Sequence, residues 1–105
     1  MGLNIDQSER DSKMRISVRG EVDLYTSPDL RKAIMNAVPA AGDRVEIELS
    51  GVEYMDSSGV ATLVEGFKIA RENSKSFVLV APSPSVTRVL ELARLDSVFE
   101  IEHDS

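Results

Sequence analysis

The chain has 105 residues, of which 42% are hydrophobic and 29% charged, and its formal net charge is −6. This length allows one compact domain with one core, and the absence of cysteine excludes disulfides, thiolate metal sites and cysteine catalysis. The excess of negative charge argues against binding to nucleic acids or anionic membrane surfaces, because phosphate groups attract clustered lysine and arginine.

The first regular pattern in the chain is an alternation of apolar and polar residues. Residues 14–18 place Met, Ile and Val at every second position, which predicts a strand with one face towards solvent. Val22 and Leu24 continue the alternation beyond Gly20. The strand is therefore expected to turn here or to pair with itself.

A helix start follows at residues 26–29, which read Thr-Ser-Pro-Asp. Thr26 or Ser27 is the expected cap, proline suits the first turn, and the aspartate is favourable at the positive end of the helix. Pro39 and Gly42 are expected to end this helix.

A second strand and a second helix come next. Residues 45–49 alternate again and predict a strand, which Ser50-Gly51 is expected to break. From Ser57 or Ser58 a long helix is expected to run to about Asn73. Its apolar face consists of Val60, Leu63, Val64, Phe67 and Ala70.

The last third of the chain repeats the strand and helix pattern. Residues 77–81 form a continuous apolar run, which is typical of a strand buried on both faces. Ser83 is the expected cap of a third helix that ends at Leu95-Asp96, and residues 98–101 predict a short last strand. The inward side chains of the third helix are expected to be Val86, Val89, Leu90 and Ala93.

The resulting order, β-(β)-α-β-α-β-α-β, predicts an α/β fold. We expect a mostly parallel sheet of four to five strands flanked by three helices, with the leading strand segment as an antiparallel edge. Residues 1–6 lack the basic start and apolar run of a secretory signal, and no segment approaches the roughly 20 apolar residues of a membrane span. The expectation is a cytoplasmic protein with one domain over residues 1–105.

Few residues in the chain suit catalysis. The sole histidine, His103, is one of the last three residues, where a positioned general base is not expected. Neither a glycine-rich phosphate loop nor a calcium loop is present in the sequence. Glu46 and Glu48 occupy the polar positions of a strand and are expected to face solvent. The sequence therefore disfavours an enzyme.

The segment 54–59, Tyr-Met-Asp-Ser-Ser-Gly, lies where a strand gives way to a helix. Functional groups in open α/β sheets often occur at such points. Residue chemistry leaves two interpretations open. Asp56 or Ser57 is the helix cap. Alternatively, Ser57 carries a phosphate, which the free amides and positive end of a helix favour and whose charge alters binding to a partner.

Several segments resemble the STAS domain family of anti-sigma factor antagonists, in the family's order and over nearly the whole chain. Residues 19–23, Arg-Gly-Glu-Val-Asp, resemble its opening strand and turn, and residues 49–60 resemble the signature before its second helix. Residues 83–86 and 95–99 resemble its later helix and closing strand.

The resemblance implies partner switching. The unphosphorylated antagonist binds an anti-sigma factor that is also a serine kinase, the kinase phosphorylates Ser57, and a PP2C-type phosphatase restores the binding form. ATP and magnesium belong to the kinase, so the chain itself needs no cofactor. The site residues implied are Asp23, Asp56, Ser57, Ser58 and Gly59, with Tyr25, Thr26, Val60 and Leu63 as additions to the partner-binding surface.

Two further functions remain open within the resemblance. STAS domains also serve as subunits of ABC-type lipid transport complexes, where the helix docks on an ATPase without phosphorylation. They also regulate targets other than sigma factors by the same switch. Many relatives carry another helix after the last strand, so contacts made by that helix are not expected here.

Overall fold

The computed structural model describes residues 2–103. Within these residues it contains one sheet of five strands, in the order β1-β2-β3-β4-β5, and three α-helices. None of the helices in this range is long and apolar enough to cross a membrane. The elements are β1 Leu3–Arg10, β2 Lys13–Val22, α1 Ser27–Ala40, β3 Arg44–Met55, α2 Ser57–Glu72, β4 Ser76–Val80, α3 Pro84–Leu92 and β5 Glu100–Glu102.

The sheet is mixed, which confirms the α/β fold expected from the sequence. β1 and β2 form an antiparallel hairpin, whereas β2 to β5 run parallel. The antiparallel edge lies before the alternating segment and not within it, because residues 13–22 form one continuous strand. Its sequence signal is weak, since only Leu3 and Ile5 are partly buried and the other six residues of β1 are exposed.

All three helices pack against one face of the sheet. β2 to β5 are parallel and lie side by side in chain order, so each connecting helix crosses in the same direction. Such crossovers are almost always right-handed, which brings every helix to the same face. The hydrophobic core lies between this face and the helices. The largest fully buried side chains of the core are Ile16, Leu30, Ile34, Ile47, Leu49, Leu63, Leu79 and Leu90.

β3 runs through Ser50 and Gly51 without interruption, which corrects the expected break. Its pairing with β2 shifts by one residue between Glu48 and Gly51, so β3 accommodates an extra residue as a bulge. The small polar residues at this point therefore bend the strand without ending it.

α3 is shorter than the sequence pattern indicates. Its cap is Ser83, as predicted, and the Ser83 hydroxyl accepts from the backbone N–H of Val86 at 3.3 Å. The helix ends at Leu92, because Arg94 adopts a left-handed φ of 60° that stops further helical turns. Ala93 is consequently exposed at the helix end and does not point inward.

Charged side chains cover the face of the sheet that the helices leave open. Glu46 lies on this face and is only 6% exposed, which corrects the expectation that it points into solvent. Its Oε1 accepts from Arg15 Nε at 2.9 Å, and its Oε2 accepts from Arg44 Nε at 2.7 Å. Arg44 Nη2 also donates to Glu102 Oε2 at 2.8 Å. The strand alternation assigns the correct face, but the arginine side chains shield the carboxylate from water.

The ionisation of Glu46 is coupled to the stability of the fold. Burial opposes its ionisation, but the hydrogen bonds and charges of Arg15 and Arg44 outweigh burial and hold the pKa below its ordinary value of 4.5. A carboxylate with a lowered pKa in the folded state stabilises the fold above its unfolded-state pKa. That contribution is lost as the pH falls through the folded-state pKa.

We expect Glu46→Gln to lower the free energy of unfolding by about 1–3 kcal/mol at neutral pH, because two partly buried arginines lose their charged acceptor. Urea denaturation of both proteins measures this difference. The stabilising effect of Glu46 should shrink as the pH falls below 4.5. A difference that stays constant from about pH 7 to about pH 3 would contradict the ion cluster as its cause.

Glu100→Gln is a matched control on the same face of the sheet. Glu100 is exposed and pairs across strands with Val78, in the same row as Glu46. The free energy of unfolding of this variant should stay within about 0.5 kcal/mol of the parent.

Candidate functional site

The residues at the start of α2 and the turn after β2 meet at one end of the sheet. Val22 at the end of β2 pairs with Met55 at the end of β3. The backbone N–H of Asp56 donates to the carbonyl oxygen of Val22 at 3.1 Å, which joins the two strand ends. The turn at Asp23 therefore lies beside the start of α2, at the carboxyl end of the parallel strands.

Asp56 is the cap of α2. Its Oδ1 accepts from the backbone N–H of Ser58 at 2.9 Å. Its carbonyl oxygen accepts from the N–H groups of Gly59 and Val60 at 3.1 and 3.2 Å. These bonds assign the cap to Asp56, where the sequence left Asp56 and Ser57 open. Ser57 is the first residue of the helix and is exposed.

The two neighbouring serines differ in their accessibility. Ser57 is exposed, whereas Ser58 is half-buried. The backbone of Ser58 is engaged on both sides, because its N–H donates to Asp56 and its carbonyl oxygen accepts from the Thr62 hydroxyl at 2.9 Å. Ser57 is therefore the more accessible of the two serines.

Gly59 allows α2 to start close against the strand ends. It is buried, and a Cβ at this position would lie 2.6 Å from Met55 Cγ and 2.8 Å from Val22 Cγ1. Real Cβ atoms essentially never approach other atoms closer than 3.0 Å, so a side chain here forces the helix start or its neighbours to move. The absence of a side chain at Gly59 thus sets how close Ser57 lies to the sheet.

The turn after β2 is built by hydrogen bonds between Asp23 and Thr26. Asp23 Oδ1 accepts from the N–H groups of Tyr25 and Thr26 at 2.9 and 3.0 Å. The Thr26 hydroxyl accepts from the Asp23 N–H and donates to the Glu21 carbonyl oxygen, both at 2.9 Å. The N–H of Thr26, helped by that of Tyr25 and opposed by burial, holds the pKa of Asp23 below its ordinary value.

Thr26 also occupies the cap position of α1, one of the two positions expected from the sequence. Its hydroxyl makes no hydrogen bond to the first turn of the helix. The hydroxyl instead accepts a hydrogen bond from Asp23 and donates one to Glu21, so Thr26 stabilises the turn beside Ser57.

The remaining residues of the expected partner surface divide into exposed and buried ones. Tyr25 is 86% exposed in the turn after β2. Val60 and Leu63 are 7% and 0% exposed and belong to the core, so their assignment to the partner surface is wrong. The helical spacing that places them on one face of α2 is the spacing of residues that face the sheet.

Two exposed apolar side chains near this end of the sheet were not indicated by the sequence patterns. Leu24 is 67% exposed and Tyr54 50% exposed. The alternation places Leu24 in a strand, but β2 ends at Val22 and Leu24 lies in the turn. An aspartate followed three residues later by a threonine is a local signal for such a turn, and it marks the end of the strand before Leu24.

The site offers an accessible hydroxyl as its chemical group. His103 follows β5 and is exposed, on the far side of β4 from the end of β3. Within residues 2–103, no three His, Asp or Glu side chains are grouped as they are around a metal ion. A serine nucleophile needs an adjacent base, and the sole histidine lies away from Ser57.

Residues 5–101 match the family model described as "Mlab, STAS domain". The chain belongs to the STAS domain family. This finding confirms the resemblance to the family over nearly the whole chain. The anti-sigma-B factor antagonist of Listeria monocytogenes is 34% identical to this STAS domain over 104 residues, which are 98% of this chain and 91% of that protein.

Further relatives agree with this assignment. The anti-sigma-B factor antagonist of Bacillus subtilis is 28% identical over 105 residues, covering 100% of this STAS domain and 95% of that protein. The crystal structure of an anti-sigma factor antagonist from Mycobacterium paratuberculosis superimposes with a TM-score of 0.87 and 29% identity. That match covers 96% of this chain and 86% of the other.

We expect Gly59→Ala to lower the free energy of unfolding of this STAS domain by about 1–3 kcal/mol, because the added methyl group overlaps two packed side chains. Urea denaturation measures the change. Alanine favours a helix over glycine by up to about 1 kcal/mol, so an increase in stability would show that the close approach does not constrain this position.

Gly2→Ala is the matched glycine control. A Cβ at Gly2 meets nothing within 4 Å. Its free energy of unfolding should remain within about 0.5 kcal/mol of the parent value.

Proposed function

We propose that this STAS domain is an anti-sigma factor antagonist whose binding is switched by phosphorylation of Ser57. Unphosphorylated, it binds an anti-sigma factor that is also a serine kinase, and this kinase phosphorylates Ser57 and ends the binding. A PP2C-type phosphatase restores the binding form. The observation that carries the proposal is the exposed Ser57 hydroxyl beside a helix cap that Asp56 already provides. The names of the relatives support the class of partner.

The effect of a phosphate on Ser57 follows from the occupied helix cap. A phosphate adds about −1.5 to −2 charges next to Asp56. The first amides of α2 attract anions, but the N–H of Ser58 already donates to Asp56 Oδ1. The added charge is therefore directed outward, towards a bound partner. Association would strip water from a dianion, so the phosphate opposes binding.

The proposed partner surface is the exposed part of this end of the sheet. Thr26 supports this surface through its hydrogen bond in the turn at Asp23. Gly59 supports it by allowing α2 to pack closely against the strand ends. Leu24 and Tyr54 join it because large exposed apolar side chains are typical of protein interfaces. The surface then consists of Asp23, Leu24, Tyr25, Tyr54, Asp56, Ser57 and Ser58.

The proposed activity is binding, in the cytoplasm, with a protein as partner. ATP and magnesium act in the kinase, so the proposal assigns no cofactor, catalytic residue or metal ligand to this chain. Neither nucleic acid nor a membrane is part of the proposed interaction, consistent with the net charge of −6.

The first test is the position of the phosphate. We expect incubation with the cognate anti-sigma factor kinase and ATP to add one phosphate, and peptide mass spectrometry to locate it on Ser57. Ser57→Ala should abolish uptake, whereas Ser58→Ala should retain it because Ser58 is half-buried. Phosphate on another residue, from a kinase proven active, would remove Ser57 from its proposed role.

The second test is partner binding. We expect Ser57→Ala to bind the anti-sigma factor as tightly as the parent, since the hydroxyl takes no part in the helix cap. Ser57→Asp should weaken binding by roughly tenfold or more, because a charge is then desolvated at the interface. Isothermal titration calorimetry measures both affinities. Equal affinities of the alanine and aspartate variants would contradict the electrostatic mechanism.

Gene neighbourhood separates the proposal from the transporter alternative. Genes for a kinase and a phosphatase beside the gene for this chain are expected. Genes for an ABC transporter in that place would favour docking on an ATPase without phosphorylation.

A further inference from the structure

A row of positive side chains crosses the sheet at the end opposite Ser57. Arg10 pairs with Lys13 across the β1–β2 hairpin, and Lys13 pairs with Arg44 across β2 and β3. Residues paired in this way point to the same face of a sheet, so the three cations lie side by side on the open face. Arg15 follows in the next row.

The pair of Arg10 and Lys13 is unfavourable without an anion, whereas Arg44 already pairs with Glu46 and Glu102. Like charges directly opposite one another in neighbouring strands destabilise a sheet. The chain has an excess of carboxylates, yet neither Arg10 nor Lys13 forms an ion pair within residues 2–103. Arg15 donates to Glu46 only through Nε, and its terminal nitrogens have no carboxylate partner within residues 2–103. Three cationic side chains thus retain free donors.

The three residues line one concave site, which we call the cation site (Arg10, Lys13 and Arg15). The cavity has a volume of about 500 Å³, within the range of small-molecule sites. The buried Glu46 fixes the orientation of the Arg15 guanidinium through its 2.9 Å ion pair. The lining residues are Ser8, Glu9, Arg10, Lys13, Arg15 and Glu46.

We propose that the cation site binds a small multivalent oxyanion with closely spaced phosphate groups, such as pyrophosphate. Two guanidinium groups and one ammonium group can donate charge-assisted hydrogen bonds to its oxygens. The ligand must carry several charges to outweigh Glu9 and Glu46 on the same walls. Binding also removes the repulsion between Arg10 and Lys13.

The cation site is independent of the function proposed for Ser57. Lys13 and Arg44 begin β2 and β3, whereas Asp23 and Asp56 follow the ends of the same strands. A ligand at the cation site therefore leaves the surface around Ser57 free. Failure of either proposal leaves the other intact.

The test is titration of the full chain with sodium pyrophosphate by isothermal titration calorimetry at constant ionic strength. We expect binding, and we expect Arg10→Gln and Lys13→Gln each to raise the dissociation constant at least about tenfold, since each removes a charge-assisted hydrogen bond. Pyrophosphate should also raise the melting temperature of the parent and not of the double variant Arg10→Gln, Lys13→Gln. Both residues are exposed, so the variants are expected to fold.

The control is the double variant Lys32→Gln, Lys68→Gln. It changes the net charge by the same amount on the helices α1 and α2, away from the open face. It should bind pyrophosphate as the parent does. An equal loss of pyrophosphate affinity in both double variants would show that only the overall charge matters, and it would overturn the proposal. The proposal would also be overturned if the parent does not bind pyrophosphate at millimolar concentration. It would be overturned as well if the cation site binds a glutamate-rich peptide instead of pyrophosphate.

Discussion

Three consecutive crossovers of the same hand carry α1, α2 and α3 to one face of the sheet, and the rest of the domain is arranged around this constraint. One face of β2, β3 and β4 must be apolar, and it holds the core. The other face receives no helix, so long charged side chains have to shield its backbone. Glu46 is buried there by Arg15 and Arg44, whose positive charges match its carboxylate, beside the apolar side chain of Val78.

The same constraint gives the sheet two different ends. The carboxyl ends of β2 and β3 are joined by the bond from Asp56 to Val22, and the turn at Asp23 and the start of α2 follow from there. The amino ends collect Lys13 and Arg44. Acidic and apolar groups around Ser57 thus lie at the opposite end from the densest positive charge, although the chain as a whole is acidic.

The sequence predicted those parts of the fold whose signals are local. Periodicity located three helices and the parallel strands, and residue type predicted the cap at Ser83 and limited the cap of α1 to Thr26 or Ser27. β1 was not predicted because an exposed edge strand needs few apolar residues. The bulge after Glu48 was predicted as a strand end because the two have similar sequences. The burial of Glu46 depends on Arg15, 31 positions away in the chain, which no local pattern contains. At the site, residue types located the segment around Ser57, but the resemblance to a family was needed to give it a role.

Asp56 caps α2, whereas Ser57 is the proposed site of phosphorylation, and this separation affects how the phosphorylated form is maintained. Among residues 2–103, the bonds that cap α2 run through Asp56 and bypass the Ser57 hydroxyl. In the proposed switch, occupying that hydroxyl leaves the contacts that maintain the fold unchanged, so both forms persist as folded protein. Their ratio then records only the opposing rates of the kinase and the phosphatase. In the proposed switch, the domain is therefore a passive carrier of a state that other proteins set, because neither form requires a different fold.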